Sequence, residues 1–181
     1  MDYVEESINN VNRIDRLNLV VKFSRLNRQE GDANIERWLN YAINNNVKEL
    51  FLSYHTNPRF RNGWRYVLPD SLYRSTSLET LDLFGCQFKQ PRSDSGIRFS
   101  LKKLGLSRVF IDQETLQTVV SSCDFLEQLC IESCQGFEVV RVAGHKLEVV
   151  DLYLDRDKVQ IVAVSAPNLR LLSYGGGFEG V

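Results

Sequence analysis

The sequence predicts an α/β solenoid: a horseshoe-like stack of coils with a parallel β-sheet on the concave side and irregular helices and loops on the convex side. Three observations support this. A Leu-x-x-Leu-x-Leu motif, or a close variant, starts at residues 14, 47, 78, 101, 126, 147 and 169. The last four gaps are 23, 25, 21 and 22 residues, within the roughly 20–29-residue period of leucine-rich repeats. Between motifs, apolar residues fall at helical spacing in two segments, which supplies the return path of each coil.

The motif residues read IDRLNL, VKELFL, LETLDL, LKKLGL, LEQLCI, LEVVDL and LRLLSY. In SLETLDLFGCQF (77–88) the leucines stand three and then two residues apart, which suits neither a helix nor a plain alternating strand. The spacing makes sense if the x-Leu-x-Leu half is a short strand. Side chains then alternate faces, so Leu81 and Leu83 point inward while Thr80, Asp82 and Phe84 point outward. Leu78 enters the same core from the turn before the strand. One coil cannot bury these leucines alone, whereas stacked coils can. The expected organisation is a single domain over 1–181, with about seven coils and strands near 16–20, 49–53, 80–84, 103–107, 128–132, 149–153 and 171–175. Ile14 and Tyr174 stand in for leucine at its two ends.

On the convex side, 33–45 places Ile35, Trp38, Leu39, Ala42 and Ile43 on one helical face, with Asp32 as N-cap. Residues 112–122 do the same with Leu116, Val119 and Val120, capped by Asp112. LPDSLYRS (68–75) reads as a single helical turn after Pro69. In 157–167, Val159, Ile161 and Ala163 alternate like a strand up to Pro167.

Cys86 and Cys134 each follow the last motif leucine or isoleucine by three residues, where leucine-rich repeats carry Asn or Cys. They are therefore expected to form a structural ladder, buried and reduced. His55, three after Leu52, is placed at the equivalent position, and Cys130 is the most exposed thiol. Catalytic and metal chemistry find no support. The histidines, His55 and His145, lie in separate coils without a local nucleophile signature. Cys130-x3-Cys134 lacks the second ligand pair of a zinc site. The glycines at 175–177 lack the Lys-Ser/Thr ending and following helix of a phosphate loop. No enzyme activity and no cofactor are expected.

Composition agrees with an ordinary globular chain. It is 43% hydrophobic and 25% charged, with net charge −1, so no global field draws it to nucleic acid or membrane. No apolar run approaches the ~20 residues of a membrane-spanning helix. MDYVEESINN lacks the regions of a signal peptide. Four cysteines do not make a disulfide scaffold in a chain of this length, which points to a cytoplasmic or nuclear location.

The concave strand face is the usual binding surface of a solenoid. Its candidate protein-binding residues are Phe51, Thr80, Asp82, Phe84, Lys103, Glu132, Asp151 and Tyr153. Phe51, Phe84 and Tyr153 stand out, because large aromatics at outward positions suit interface anchors; packing on one another across coils is the alternative. A second candidate is RFRNGWRY (59–66), where Arg59, Arg61 and Arg65 interleave with aromatics including Trp64. It reads as a hairpin or loop turning at Asn62-Gly63, with partner binding as its use. A nucleic-acid surface and an inositol-phosphate site are the other readings.

The order of elements resembles the leucine-rich region of plant F-box proteins of the F-box/LRR and F-box/FBD/LRR type. The resemblance runs from the Trp38 helix through VKELFL, LPDSLYRSTSLETLDLFGCQF and SLKKLGLSRVFIDQETLQTVVSSCDFLEQLCIESCQGF to SAPNLRLLSYGGG. It implies a protein-recognition module like the substrate-binding part of an SCF-type (cullin–RING) E3 ubiquitin ligase subunit. Residues 1–30 show no LP-x-x-hydrophobic-Leu opening of an F-box, and the chain reaches GGGFEGV without an FBD segment. The expectation is thus the recognition half alone, with a protein target and without direct binding of the cullin adaptor. The alternative is a truncated or orphan leucine-rich scaffold with no ligase role.

Overall fold

The computed structural model describes residues 14–22, 28–55, 65–90, 99–155 and 158–176. Its elements are β1 (Arg16–Lys22), α1 (Arg28–Asn44), β2 (Glu49–His55), β3 (Thr80–Phe84), β4 (Lys103–Ser107), α2 (Gln113–Ser121), β5 (Gln128–Glu132), β6 (Val139–Ala143), β7 (Val149–Leu154), β8 (Ile161–Ser165) and β9 (Leu171–Gly176). A 3-10 turn, Leu72–Arg74, lies between β2 and β3.

Strands β1, β2, β3, β4, β5, β7 and β9 pair in that order, and every pairing is parallel. The register aligns the motif. Leu17, Leu50, Leu81, Leu104, Leu129, Val150 and Leu172 form one row, and Leu19, Leu52, Leu83, Leu106, Ile131, Leu152 and Tyr174 the next. Through β7 both rows are buried, as are Val47, Leu78, Leu101, Leu126 and Leu147 from the preceding turns. Burying one such side chain contributes roughly 1.5–3 kcal/mol. In β9 the rows surface: Leu172 is 49% exposed and Tyr174 52%. Tyr174 holds the register position of a core leucine without its burial.

Backbone hydrogen bonds fix that register at the strand starts. The carbonyls of Asp15, Lys48, Glu79, Lys102, Glu127 and Glu148 each accept two consecutive N–H groups from the next coil, at 2.8–3.0 Å. At the strand ends Gly85, Arg108 and Ser133 take left-handed backbone, with φ of 70°, 52° and 49°. Each donates its N–H to the next coil, to Ser107, Glu132 and Tyr153 respectively. Gly85 is needed at its position. A Cβ there would lie 2.3 Å from the Tyr54 carbonyl oxygen.

The return path differs in part from the sequence expectation. Helix α2 matches it: the Asp112 side chain accepts from the Thr115 N–H at 2.7 Å, and Leu116, Val119 and Val120 are buried. Helix α1 begins earlier than expected, so Asp32 is not its N-cap. Asp32 lies within the helix and accepts from the Tyr54 hydroxyl at 3.1 Å. The last coils use strands in place of helices, with β6 and β8 forming a second, two-stranded parallel sheet. In β8 the inward residues are Val162 and Val164, whereas Ile161 is 48% exposed. The alternation of Val159, Ile161 and Ala163 is therefore broken. Val159 is buried in the turn before the strand, and register with Val140 and Val142 sets the phase of the strand itself.

Cys86, Val109 and Cys134 occupy equivalent buried positions after β3, β4 and β5. The Cys86 thiol donates to the Phe84 carbonyl at 3.4 Å and the Cys134 thiol to that of Leu106 at 3.3 Å. All four cysteines are free. His55 departs from this ladder. Strand β2 runs on to residue 55 without turning, which keeps the imidazole on the outward face next to Ser53.

Two outcomes follow. Burial pushes the thiols of Cys86, Cys123 and Cys134 up to about 12, while Cys130 is half-buried. Iodoacetamide at neutral pH should modify Cys130 first and the other three only on unfolding, read by peptide mass spectrometry; fast modification of Cys86 in the folded chain would contradict the register. Gly85→Ala should lower stability by ~1–3 kcal/mol in urea unfolding, the cost of left-handed backbone with a side chain, and more where the Tyr54 carbonyl cannot give way.

Candidate functional site

The outward face of the main sheet carries a shallow depression of about 330 Å³. Parallel register builds it. Phe51, Asp82 and Gly105 are neighbours across β2, β3 and β4, and so are Ser53, Phe84 and Ser107. These six residues line it together with backbone at Leu52 and Leu83. Phe51 and Phe84 are half-buried, diagonal to each other on β2 and β3, rather than fully solvent-facing.

Gly105 gives the depression its floor. It is buried, and a Cβ built on it would lie 1.8 Å from the Asp82 Oδ1. The missing side chain thus lets the Asp82 carboxylate lie across β4. Burial raises the pKa of Asp82, an effect that Lys103 offsets in part. Lys103 Nζ stands 4.0 Å from Oδ2 and is half exposed, a long and screened pairing.

The rim is partly neutralised. Arg16 is held by Glu49 at 2.6 Å and lies 5.7 Å from the Phe51 ring centre. Arg108 lies 5.6 Å from that of Phe84, whose ring also meets the His55 imidazole at 4.8 Å. Glu132 accepts from the Ser107 hydroxyl at 3.0 Å.

The structure brings together Phe51, Asp82 and Phe84, with Thr80, Lys103 and Glu132 beside them. Asp151 and Tyr153 lie on β7, beyond Cys130 and Glu132 of β5, and belong to the flank of this surface. The Cys130 thiol between the two groups is raised by burial first and then by Asp151, Glu132 and Asp82. Arg65 lies elsewhere. Its guanidinium donates to Gln135 at 2.8 Å and sits 5.4 Å from the Phe110 ring centre. Arg59, Arg61 and Trp64 lie outside the described residues.

Four contributors escaped sequence reasoning. Ser53, Ser107 and Gly105 hold small outward positions, the ordinary composition of an exposed strand face, so their types alone do not single them out. His55 lies outward although its spacing from Leu52 predicts an inward turn, because β2 runs two residues past the point where β3 ends. The Ser53 hydroxyl and His55 Nε2 stand 2.7 Å apart, a distance suited to nucleophile activation. Among the described residues, however, no acid is hydrogen-bonded to the other ring nitrogen, and no group of His, Cys, Asp and Glu is placed to hold a metal. The arrangement offers aromatic walls, hydroxyls and one partly desolvated carboxylate, groups that binding surfaces use.

Residues 35–179 match the family model described as FBD-associated F-box protein At5g56370, LRR repeats. Curated relatives from Arabidopsis thaliana include the putative F-box/LRR-repeat protein At5g54820, 29% identical over 78% of this chain and 30% of that protein. The F-box/FBD/LRR-repeat protein At1g78750 is 32% identical over 77% of this chain and 31% of its own length. F-box/LRR-repeat protein 13 is 29% identical over 76% and 31%. The chain thus spans about a third of the length of these relatives. No solved structure matches it.

The raised pKa of Asp82 has a sign that can be tested. A carboxylate raised in the fold disfavours folding once ionised. That penalty is absent below the unfolded value of ~3.9 and grows as pH rises through the folded pKa. Asp82→Asn should therefore be at least as stable as the parent at pH 7, with the difference closing as pH falls toward ~4. Urea unfolding across this range measures it, and a variant less stable at pH 7 would contradict the assignment.

Proposed function

The chain belongs to the leucine-rich-repeat family of FBD-associated F-box proteins, and from that premise we propose that it selects a protein substrate for an SCF-type (cullin–RING) E3 ubiquitin ligase. Protein recognition is the role that this repeat architecture serves through its strand face. The ligase assignment draws on the F-box names of the relatives. In this proposal the leucine-rich part holds the target and does not itself bind the cullin adaptor.

The observation that carries the reading is the depression between Phe51 and Phe84, with Asp82 on its floor. Half-buried aromatics around a concavity are what interface anchors look like before a partner arrives, since each ring buries large area at little rotamer cost. Lys103, Glu132, Asp151 and Tyr153 would form the polar rim. The target is a protein; nucleic acid and membrane do not enter the proposal, and none of the helices among the described residues is long and apolar enough to cross a membrane. A cytoplasmic or nuclear setting fits a ligase subunit.

Pull-down from plant extract with quantitative mass spectrometry tests this. A target retained by the parent chain should fall at least ~tenfold with Phe51→Ala/Phe84→Ala, the loss of an anchor worth ~1.4 kcal/mol or more. Phe125→Ala, remote from the depression, should retain it. The cullin adaptor should stay at background. Adaptor capture by this chain, or a target indifferent to the double substitution, would overturn the proposal.

A further inference from the structure

We propose that the depression receives an arginine side chain of the protein partner, with its guanidinium between Phe51 and Phe84 and hydrogen-bonded to Asp82. This deepens the proposed function and rests on it.

Four observations converge on guanidinium chemistry. First, the walls already attract it: Arg16 and Arg108 each lie within 6 Å of a phenyl ring centre, the range of a cation–π contact. Both lie at the rim, and Arg16 is tied down by Glu49. Second, the floor is an acceptor. Asp82 is partly removed from water, and among the described residues its one ion pair is the 4.0 Å approach of Lys103. A planar guanidinium can give a carboxylate two parallel hydrogen bonds, which an ammonium cannot. Third, Gly105 lays the carboxylate flat, since any side chain there would displace it. Fourth, the Ser107 hydroxyl spends its hydrogen on Glu132 and the Ser53 hydroxyl pairs with His55; both oxygens keep acceptor lone pairs, so they can assist Asp82, the one charged acceptor among the residues that line the depression.

Charge selects among occupants. An acidic side chain would meet the Asp82 carboxylate in a partly desolvated site, where like charges repel most. A purely apolar side chain would fill the walls but cover the carboxylate without a donor, which costs free energy. Lysine can neutralise Asp82, but it places a compact, strongly hydrated charge between the rings.

The test uses N-acetyl-arginine methylamide as probe, titrated into the ¹⁵N-labelled chain, with the lysine and glutamate analogues in parallel. Arginine should shift the backbone amides of Gly105, Asp82 and Phe84 saturably, and at least threefold more tightly than lysine; glutamate should leave them in place. Asp82→Asn should weaken arginine binding tenfold or more while its spectrum stays folded. Phe51→Leu, which keeps apolar bulk and removes the ring, should weaken it by a smaller factor. Absent arginine shifts, equal shifts from glutamate, or undiminished binding by Asp82→Asn would overturn the inference. If the arginine probe fails while Phe51→Ala/Phe84→Ala still abolishes target capture, the arginine site falls alone and the recognition reading stands.

Discussion

Everything in this molecule depends on one backbone arrangement. At the start of each repeat a single carbonyl accepts two successive N–H groups of the next coil, and this recurs from Asp15 to Glu148. It fixes the axial position of one coil on the next to within a residue. A slip of one would turn every leucine outward and every polar residue inward, because side chains alternate with period two. The leucines supply most of the free energy, whereas the shared carbonyls decide which leucine meets which. Such stacking ties each coil mainly to its neighbours, so Leu50 and Leu129 support each other only through Leu81 and Leu104.

The same arrangement builds the outward face. Since register is fixed, each coil contributes one residue to each outward column, and a local property of one coil becomes a surface feature only through its neighbours. Gly105 illustrates this. On its own strand it is a missing side chain. Beside Asp82 it is the space into which a carboxylate lies down, and with Phe51 and Phe84 on the two preceding strands that carboxylate lines a depression. The chain thus makes a site by omission in one coil and placement in two others.

This explains what could be read from the sequence. The fold class was legible because its signal is repeated: LETLDL, LKKLGL and LEQLCI carry the same inward pattern, and each supports the interpretation of the others. The outward positions of Phe51, Asp82 and Phe84 followed from alternation alone. What escaped depends on where a strand stops. His55 departs from its expected place because β2 keeps extended backbone where β3 turns at Gly85, and VKELFLSYH has no glycine at the matching position, Tyr54, to signal either outcome. The Asp32 cap failed for a tertiary reason, since the helix begins upstream and Asp32 is taken by Tyr54 on β2. The strand-like alternation of 157–167 does correspond to a strand, β8, but which of its faces turns inward is set by pairing with β6.

The contrast between Asp82 and Glu79 shows why outward charge is not uniform along such a sheet. The two residues are three apart in one coil. Glu79, in the turn before β3, is only slightly more accessible than Asp82, but it is hydrogen-bonded to Lys102 of the next coil at 2.8 Å, which lowers its pKa. It joins the neighbouring coils at little cost and gains little in turn, as solvent screens it. Asp82, in the middle of the strand, is paired among the described residues only with Lys103, at 4.0 Å, and burial dominates its pKa. A surface tuned for stability alone would favour the first arrangement at both positions, because an acceptor half removed from water without a close donor is a cost. That cost is offset when a donor arrives from outside. The energetic asymmetry between Glu79 and Asp82, more than the depression's shape, is what supports the proposal that the middle of β3 meets a donor from a partner.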